Sequence, residues 1–330
     1  MSFANQAKLE CLGKKIDNDC CAIAFLCAVI KCSGQINYLD DEQVLEVFTE
    51  VEDLYGAVND IIEQYYGASC ELEVAEDIGV ARAYRYRITI PHDVCAKLIV
   101  DLGLCEDKHT DGFMDDGIPQ FVIADDCCKR AFVKGVFVSC ATSNIVIKQY
   151  DNDKKCSSGY HLEFVFGFQN LAQDFKDLLD YFDIPSKITV RKGNPLVYIK
   201  EYQKICDVLA LVEATKCVLS LQSEVSIREL RNNVNRQTNC MNANLTKTVQ
   251  TAVKQLNAIN YIQENAGLES LDDDLMELCL LRLANPEESL DTLAKLFPGG
   301  MSKSGINHRF NKILKYAKDL EDSKFKIRQL

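Results

Sequence analysis

The sequence predicts an α+β protein built in two parts: a pseudo-two-fold N-terminal domain of mixed helices and sheets, and an all-α domain that ends in a helix-turn-helix layout. Three observations carry this reading. An eleven-residue pattern recurs 107 positions later, strand-like alternation gives way to continuous helical periodicity near Ser220, and a Pro-Gly-Gly break separates two short amphipathic segments close to the end. With 330 residues the chain can support two cores. Apolar residues make up 47% and charged residues 26%, with 16 Gly and 6 Pro, which excludes disordered, collagenous and low-complexity classes.

No stretch approaches the ~18 uninterrupted apolar residues of a membrane span, and Met1 to Lys15 lacks the apolar run of a signal peptide. A cytoplasmic protein without membrane contact is expected. The 16 cysteines sit largely in apolar runs such as Cys20 to Cys27 and read as buried thiols. No two have the C-x-x-C spacing, and His92, His109, His161 and His308 form neither H-x3-H nor H-E-x-x-H. Spacing along the chain therefore predicts no metal site and no cofactor.

The net charge of −12 is unevenly held: residues 1–220 carry 22 Lys+Arg against 35 Asp+Glu, a balance of −13, while residues 221–330 carry 15 against 14, a balance of +1. Met301 to Lys318 includes Lys303, Arg309, Lys312, Lys315 and Lys318 and no acid. A basic helix on an acidic protein is a candidate phosphate contact, with a solvated helix face as the alternative.

The repeat consists of Asp19-Cys20-Cys21-x-x-Ala24-Phe25-x-x-x-Val29 and Asp126-Cys127-Cys128-x-x-Ala131-Phe132-x-x-x-Val136. Each copy reads as an apolar helix begun by an Asp N-cap. Ala24 with Ala28, and Ala131 with Gly135, lie one turn apart and give each helix a shallow face for close packing. After the first copy the pattern predicts a turn at Ser33-Gly34, a helix near Val58–Tyr66, strands at Glu71–Val74 and Tyr84–Ile90, and a helix from His92 to Leu102. After the second it predicts strands near Asn144–Gln149 and Tyr160–Phe166, a helix from Gln169 to Phe182, a strand or hairpin from Ile188 to Ile199, and a helix from Tyr202 to Ala214. Asp111 to Gly117 reads as a solvated turn whose acids match a calcium loop only loosely.

These repeated segments resemble the LAGLIDADG homing-endonuclease fold, with Leu26 to Gly34 and Val133 to Ala141 matching its nine-residue signature. The resemblance implies two signature helices packed side by side, each half adding a curved β-sheet, and in active members an acid at the eighth position that holds a divalent metal. Here the eighth positions are Ser33 and Cys140. A neutral hydroxyl and a soft thiol are poor ligands for Mg²⁺, so the domain is expected to be a degenerate relative without nuclease activity. Asp40 and Asp41 would need an unusual return path to stand in for the missing acids. Arg85, Arg87 and Thr89 share one face of their strand, and Thr189 and Arg191 lie on the polar face of theirs. That leaves a DNA-facing sheet and an ordinary solvated face both open, with the charge of −13 favouring the second.

Beyond Ser220, Leu245, Val249, Ala252, Leu256 and Ile259 form a helical stripe that Asn265-Ala266-Gly267 should end. A second helix is expected to begin after Ser270 or Asp272, with Asp272, Asp273 and Asp274 at its positive end, and to stop before Asn285-Pro286. Ser289 should cap Leu290–Phe297, Pro298-Gly299-Gly300 should turn the chain, and Ser302 or Ser304 should cap the last helix. In that helix Ile306, Phe310, Ile313, Leu314 and Ala317 form the core stripe. The opposite side carries Ser304, His308, Asn311, Lys312 and Lys315, flanked by Asn307 and Arg309. Amides, hydroxyls and cations at a helix N-terminus suit base edges and phosphates together. An ordinary helical hairpin with a polar face is the plainer alternative.

Arg231-Asn232-x-x-Asn235-Arg236-x-x-Asn239-Cys240-x-x-Ala243-Asn244-Leu245-x-Lys247, followed by Ser302-Lys303-Ser304-Gly305-Ile306-Asn307-His308-Arg309, is similar to the signature of the WhiA family, bacterial regulators of sporulation and cell division. The resemblance implies residues 1–218 as a degenerate LAGLIDADG-like domain, with its repeat near 17–105 and 124–215. It implies residues 219–330 as a DNA-binding domain with a helix-turn-helix near 289–318, similar to promoter-reading domains of sigma factors. The asparagine stripe itself can lie on DNA, dock on the neighbouring domain, or supply caps.

The expected function is sequence-specific binding of double-stranded DNA in cell division, chromosome segregation or sporulation-type transcription, on the nucleoid and without catalysis. The expected contacts are Ser302, Lys303, Ser304, Asn307, His308, Arg309, Asn311, Lys312 and Lys315. Arg231, Asn232, Asn235, Arg236, Asn239, Asn244 and Lys247 are DNA or interdomain candidates. The alternatives are a metal-dependent nuclease with a displaced site, and an acidic adaptor for a sigma factor, RNA polymerase or a second regulator.

Overall fold

The computed structural model describes residues 1–16, 18–39, 42–76, 84–105, 116–145 and 159–327. Asp40, Asp41, most of the Asp111–Gly117 turn and the end of the Asn144–Gln149 strand lie outside the described residues. The chain forms two compact units, residues 1–227 and 228–330, and the division falls within one long helix.

The first unit opens with α1 (Phe3–Leu12), whose N-terminus Ser2 caps by accepting from the Asn5 amide at 3.2 Å. Two copies of one element sequence follow. The first is α2 (Asp19–Ser33), β1 (Gly34–Leu39), β2 (Glu42–Thr49), α3 (Leu54–Tyr66), β3 (Glu71–Glu76), β4 (Tyr84–Ile90) and α4 (His92–Asp101). The second is α5 (Asp126–Cys140), β5 (Ala141–Ser143), β6 (Leu162–Val165), α6 (Gln169–Tyr181), β7 (Lys187–Arg191), β8 (Asn194–Ile199) and α7 (Tyr202–Leu211). The two four-stranded antiparallel sheets have matching orders, β1-β2-β4-β3 and β5-β6-β8-β7. Helix, two strands, helix, two strands, helix, each time in the same sheet order, is the pseudo-two-fold architecture that the repeat implies.

At the centre α2 and α5 pack against each other along their small residues. A Cβ at Gly135 would stand 2.5 Å from the Phe25 carbonyl oxygen and 2.7 Å from the Ala28 Cβ, so only glycine permits this approach. Phe25, Leu26, Ile30, Phe132 and Phe137 are almost fully buried around that seam.

Two expectations are corrected here, and one strand is new. Asp19 and Asp126 are the first helical residues rather than N-caps, which are Asn18 and Asp125. Their carboxylates instead accept from Tyr65 and Tyr181 hydroxyls, at 2.7 and 2.6 Å. Ser33-Gly34 is not a turn: α2 passes directly into β1, and a Cβ at Gly34 would lie 2.6 Å from the Ile30 carbonyl oxygen. Strand β2 escaped sequence reading because Val44, Leu45, Glu46 and Val47 are buried in succession, which removes the period-two signal.

The second unit is helical. The long helix α8 (Thr215–Asn265) ends at Gly267, which adopts φ of 79°, and is followed by α9 (Asp273–Ala284), α10 (Leu290–Leu296) and α11 (Lys303–Ile327). Ile259, Ile262, Leu278, Cys279, Leu293, Ile306, Phe310 and Ile313 form its core. Of the expected stripe on α8 only Ile259 belongs to this core; Ala252 is buried outside it, and Leu245 and Val249 are exposed.

Candidate nucleic-acid interface

The geometry of the last two helices follows from their caps and the turn between them. Ser289 Oγ accepts from the Thr292 amide at 3.2 Å, starting α10. Gly299 and Gly300 take φ of 82° and 67°, a left-handed pair that most side chains resist. The Met301 amide then returns to the Ala294 carbonyl at 3.1 Å, and Ser302 Oγ accepts from the Gly305 amide at 3.1 Å to start α11. Helix α11 thus leaves the turn with its first residues at the surface.

Ile306, Phe310, Ile313 and Ala317 face inward, while Lys303, Ser304, Asn307, His308, Asn311, Lys312 and Lys315 are exposed. Among the described residues no acid lies within ion-pair distance of Lys303, Lys312, Lys315 or Lys318. This outward row combines amide and imidazole groups with unpaired cations, at the end of a helix whose free N–H groups add positive potential.

Arg309 departs from the sequence expectation. Its Nη2 lies 2.5 Å from Asp274 Oδ2 on α9, and its guanidinium stands 5.0 Å from the centre of the Phe297 ring. Only 23% of the side chain is exposed, so Arg309 fastens α11 to α9 and to the end of α10 rather than reaching outward. Sequence spacing put it beside the exposed face but could not reveal Asp274, 35 residues earlier, as its partner.

Arg282 was not anticipated at all. It is 1% exposed, donates to the Asn285 and Glu288 carbonyl oxygens at 3.3 and 2.7 Å, and lies 5.4 Å from the Phe310 ring centre. Burial lowers its pKa, yet a guanidinium begins so high that it stays charged. It fixes the path from α9 to α10. The buried cation is paired with backbone oxygens, which leave no mark in a charge pattern.

Arg231, Asn232, Asn235, Arg236, Asn239, Asn244 and Lys247 are all exposed inside α8, so none of the asparagines acts as a cap. Lys247 and Lys303 come together at one cleft of about 150 Å³, with Thr248, Thr251 and Ser289 contributing hydroxyl groups to its wall. Two ammonium groups suit a phosphate oxygen, while the Thr248 and Thr251 hydroxyls donate to the Asn244 and Lys247 carbonyl oxygens of their own helix.

The first unit presents different chemistry. Ser33 Oγ donates to the Val29 carbonyl at 2.9 Å, and Cys140 Sγ donates to the Val136 carbonyl at 3.3 Å. Hydrogen bonding to Cys140, with burial, pushes the neighbouring Cys32 thiol well above its ordinary value. Lys8 is buried near Cys140 and Glu50; burial lowers its pKa and those neighbours oppose the shift. A hydroxyl, two thiols and a lysine, with Glu50 as the one carboxylate named beside them, do not fit the divalent metal of an active homing endonuclease.

The open face of the first sheet is closed by its own charges. Arg87 pairs with Glu46 at 3.3 Å and with Glu73, and Gln35 and Asn37 also donate to Glu46. On the second sheet Glu163 meets Arg191 at 3.5 Å and His161 at 2.5 Å, and His161 stacks on Tyr198. The side chain of Arg85 is not among those described.

Comparison with known proteins places matches along nearly the whole chain. Residues 19–105 match the WhiA N-terminal LAGLIDADG-like domain, residues 129–231 the WhiA LAGLIDADG-like domain, and residues 234–317 the WhiA C-terminal HTH domain. A probable cell division protein WhiA of Lachnospira eligens is 35% identical over 327 residues, covering 98% of both chains. One from Alkaliphilus metalliredigens is 32% identical over 316 residues, covering 95% of this chain and 96% of the relative. The crystal structure of full-length DUF199/WhiA from Thermatoga maritima shares the fold with a TM-score of 0.57, at 21% identity, over 97% of this chain and 99% of that one.

Proposed function

The chain belongs to the WhiA family, and on that premise we propose that it is a sequence-specific, double-stranded-DNA-binding regulator of cell division that cleaves no phosphodiester bond. The observation that carries this reading is the outward row of α11, where Asn307, His308 and Asn311 stand beside the unpaired Lys303, Lys312 and Lys315. Asn307, His308 and Asn311 read base edges in the major groove. Ser302, Ser304 and the lysines hold phosphates, and Lys247 adds a contact from α8 across the shared cleft. Arg309 acts indirectly, by holding α11 at the angle the groove requires. The Arg231–Asn244 face of α8 is a second DNA-facing surface, and the protein resides on the nucleoid.

The absence of cleavage follows from donor chemistry. Neither Ser33 nor Cys140 offers an anionic oxygen, and the nearby buried Lys8 repels a second cation. The acidic first unit, with Arg87 and Arg191 on its sheets already paired, is suited to a protein partner such as a sigma factor, RNA polymerase or a second regulator.

A binding selection from random duplexes with the full chain tests the reading. A defined motif is expected, with replacement of Asn307 or His308 by Ala costing about 1–3 kcal/mol on that motif and much less on other DNA. Retention of the wild-type preference by both variants would remove α11 as the reader. Supercoiled DNA incubated with the protein and Mg²⁺ or Mn²⁺ should remain intact; nicking abolished by Ser33→Ala or Cys140→Ala would overturn the non-enzymatic assignment.

A further inference from the structure

The cysteine doublets of the repeat meet in space. Cys20 and Cys21 lie in the first turn of α2, Cys127 and Cys128 in the first turn of α5, and the pseudo-two-fold brings both turns together. The Cys20 and Cys127 sulfurs are 4.0 Å apart, those of Cys127 and Cys128 are 3.9 Å apart, and all four Sγ atoms lie within 4.8 Å of one another. Chain spacing missed this set because each half contributes an adjacent pair, and 107 residues separate the halves.

The geometry points to a tetrathiolate site for a single zinc ion, formed by Cys20, Cys21, Cys127 and Cys128. Four sulfurs at about 2.3 Å from a tetrahedral Zn²⁺ are about 3.8 Å from one another, so the observed separations need little closing. A cluster of several irons would hold its thiolates farther apart, since the sulfurs then bind different irons. Hard ions such as Mg²⁺ and Ca²⁺ are excluded by the all-sulfur donor set.

The surroundings supply what such a site needs. Binding releases the four thiol protons to solvent and leaves a zinc-tetrathiolate of charge −2. Two helix N-termini point at it, and their free N–H groups stabilise thiolates. Lys129, next in sequence to Cys128, is held by Asp126 at 3.3 Å and lies 4.6 Å from the Tyr181 ring centre, which ties it to the first turn of α5. Cys21 and Cys128 are buried while Cys20 and Cys127 are exposed, which anchors the ion and leaves it a route in. The flanking Asp19 and Asp126 are held by Tyr65 and Tyr181 in matching bonds, so the first turns are oriented alike.

The site lies at the opposite end of the paired helices from Ser33 and Cys140, about 20 Å away along the axis. It therefore staples the two halves of the first unit together, at the end of the paired helices remote from Ser33 and Cys140.

The test uses the full chain, purified in reductant and stripped of metal. Titration with Co²⁺ should give the thiolate-to-cobalt charge-transfer band of a tetrahedral site, saturating at about one ion per chain and displaced by Zn²⁺. Wild type and Cys240→Ser, which changes an exposed cysteine on α8, should retain about one zinc after dialysis. The double variant Cys20→Ser, Cys127→Ser, which alters only the two exposed ligands, should hold less than about a tenth of that. Absence of the cobalt band in the wild type would overturn the proposal, as would a double variant that retains full zinc. Recovery of a Cys20–Cys127 disulfide that persists under the same reductant would also overturn it. The wild-type titration decides the matter even if the double variant does not fold.

Discussion

The two compact units treat their cations differently. In the first, Arg87 meets Glu46 and Glu73, Arg191 meets Glu163, Lys134 meets Glu213 and Lys176 meets Asp180. In the second, Arg309 is paired, but the row of lysines along the outer side of α11 has no acid within ion-pair distance among the described residues. A cation already matched by a carboxylate gains little from a phosphate, because it must first surrender its partner; an unmatched one releases counterions from DNA at no such cost. Position of charge thus outweighs its amount. On the sheets of the first unit Arg87 and Arg191 are committed within the protein.

The comparison breaks most completely if the second unit loses its core. Phe310 is 1% exposed on the inner face of α11, and Phe310→Ala is expected to lower folding stability by about 3–5 kcal/mol, measured by denaturant unfolding. DNA binding should fall with it, equally for every sequence. Closing the seam of the first unit gives the counterpart. Gly135→Val forces a side chain into the Phe25 carbonyl, and about 1–3 kcal/mol of destabilisation is expected, with the DNA sequence preference unchanged. A changed preference in Gly135→Val would show that the two units do not divide their tasks in this way.

A smaller effect sharpens the comparison. Arg309→Ala removes a half-exposed ion pair and a ring contact, and about 1 kcal/mol of stability should go with them. If Arg309 only positions α11, Asp274→Asn should weaken binding alongside it, and both variants should keep the wild-type motif. A motif altered at one base by Arg309→Ala alone would return Arg309 to the reading face.

Much of this was legible in the sequence, for identifiable reasons. The repeat revealed α2 and α5 because their helical pattern is local and their small residues have one use. The last helices were legible because Ser289, Gly299, Gly300 and Ser302 each have a distinct backbone role, and each occupies it. What escaped was whatever depends on partners distant in sequence. Arg309 looks like a reader until Asp274 and Phe297 are placed beside it, and Arg282 looks like one surface charge among many until its carbonyl partners appear. The four cysteines escaped for the same reason, although both doublets stood in plain view in the repeat. Strand β2 was lost because burial of consecutive residues erases alternation.

The salt dependence of duplex binding tests the central contrast most directly. Binding constants of the full chain for one duplex, measured across a range of salt concentrations, give a log–log slope that counts released counterions. For Lys312→Ala with Lys315→Ala the slope should shrink by about 1.8, at roughly 0.9 per lost phosphate contact, whatever the DNA sequence. For Arg87→Ala with Arg191→Ala it should stay at the wild-type value. The reverse pattern, with the lysine pair silent and the arginine pair lowering the slope, would contradict the account and place the DNA on the sheets of the first unit.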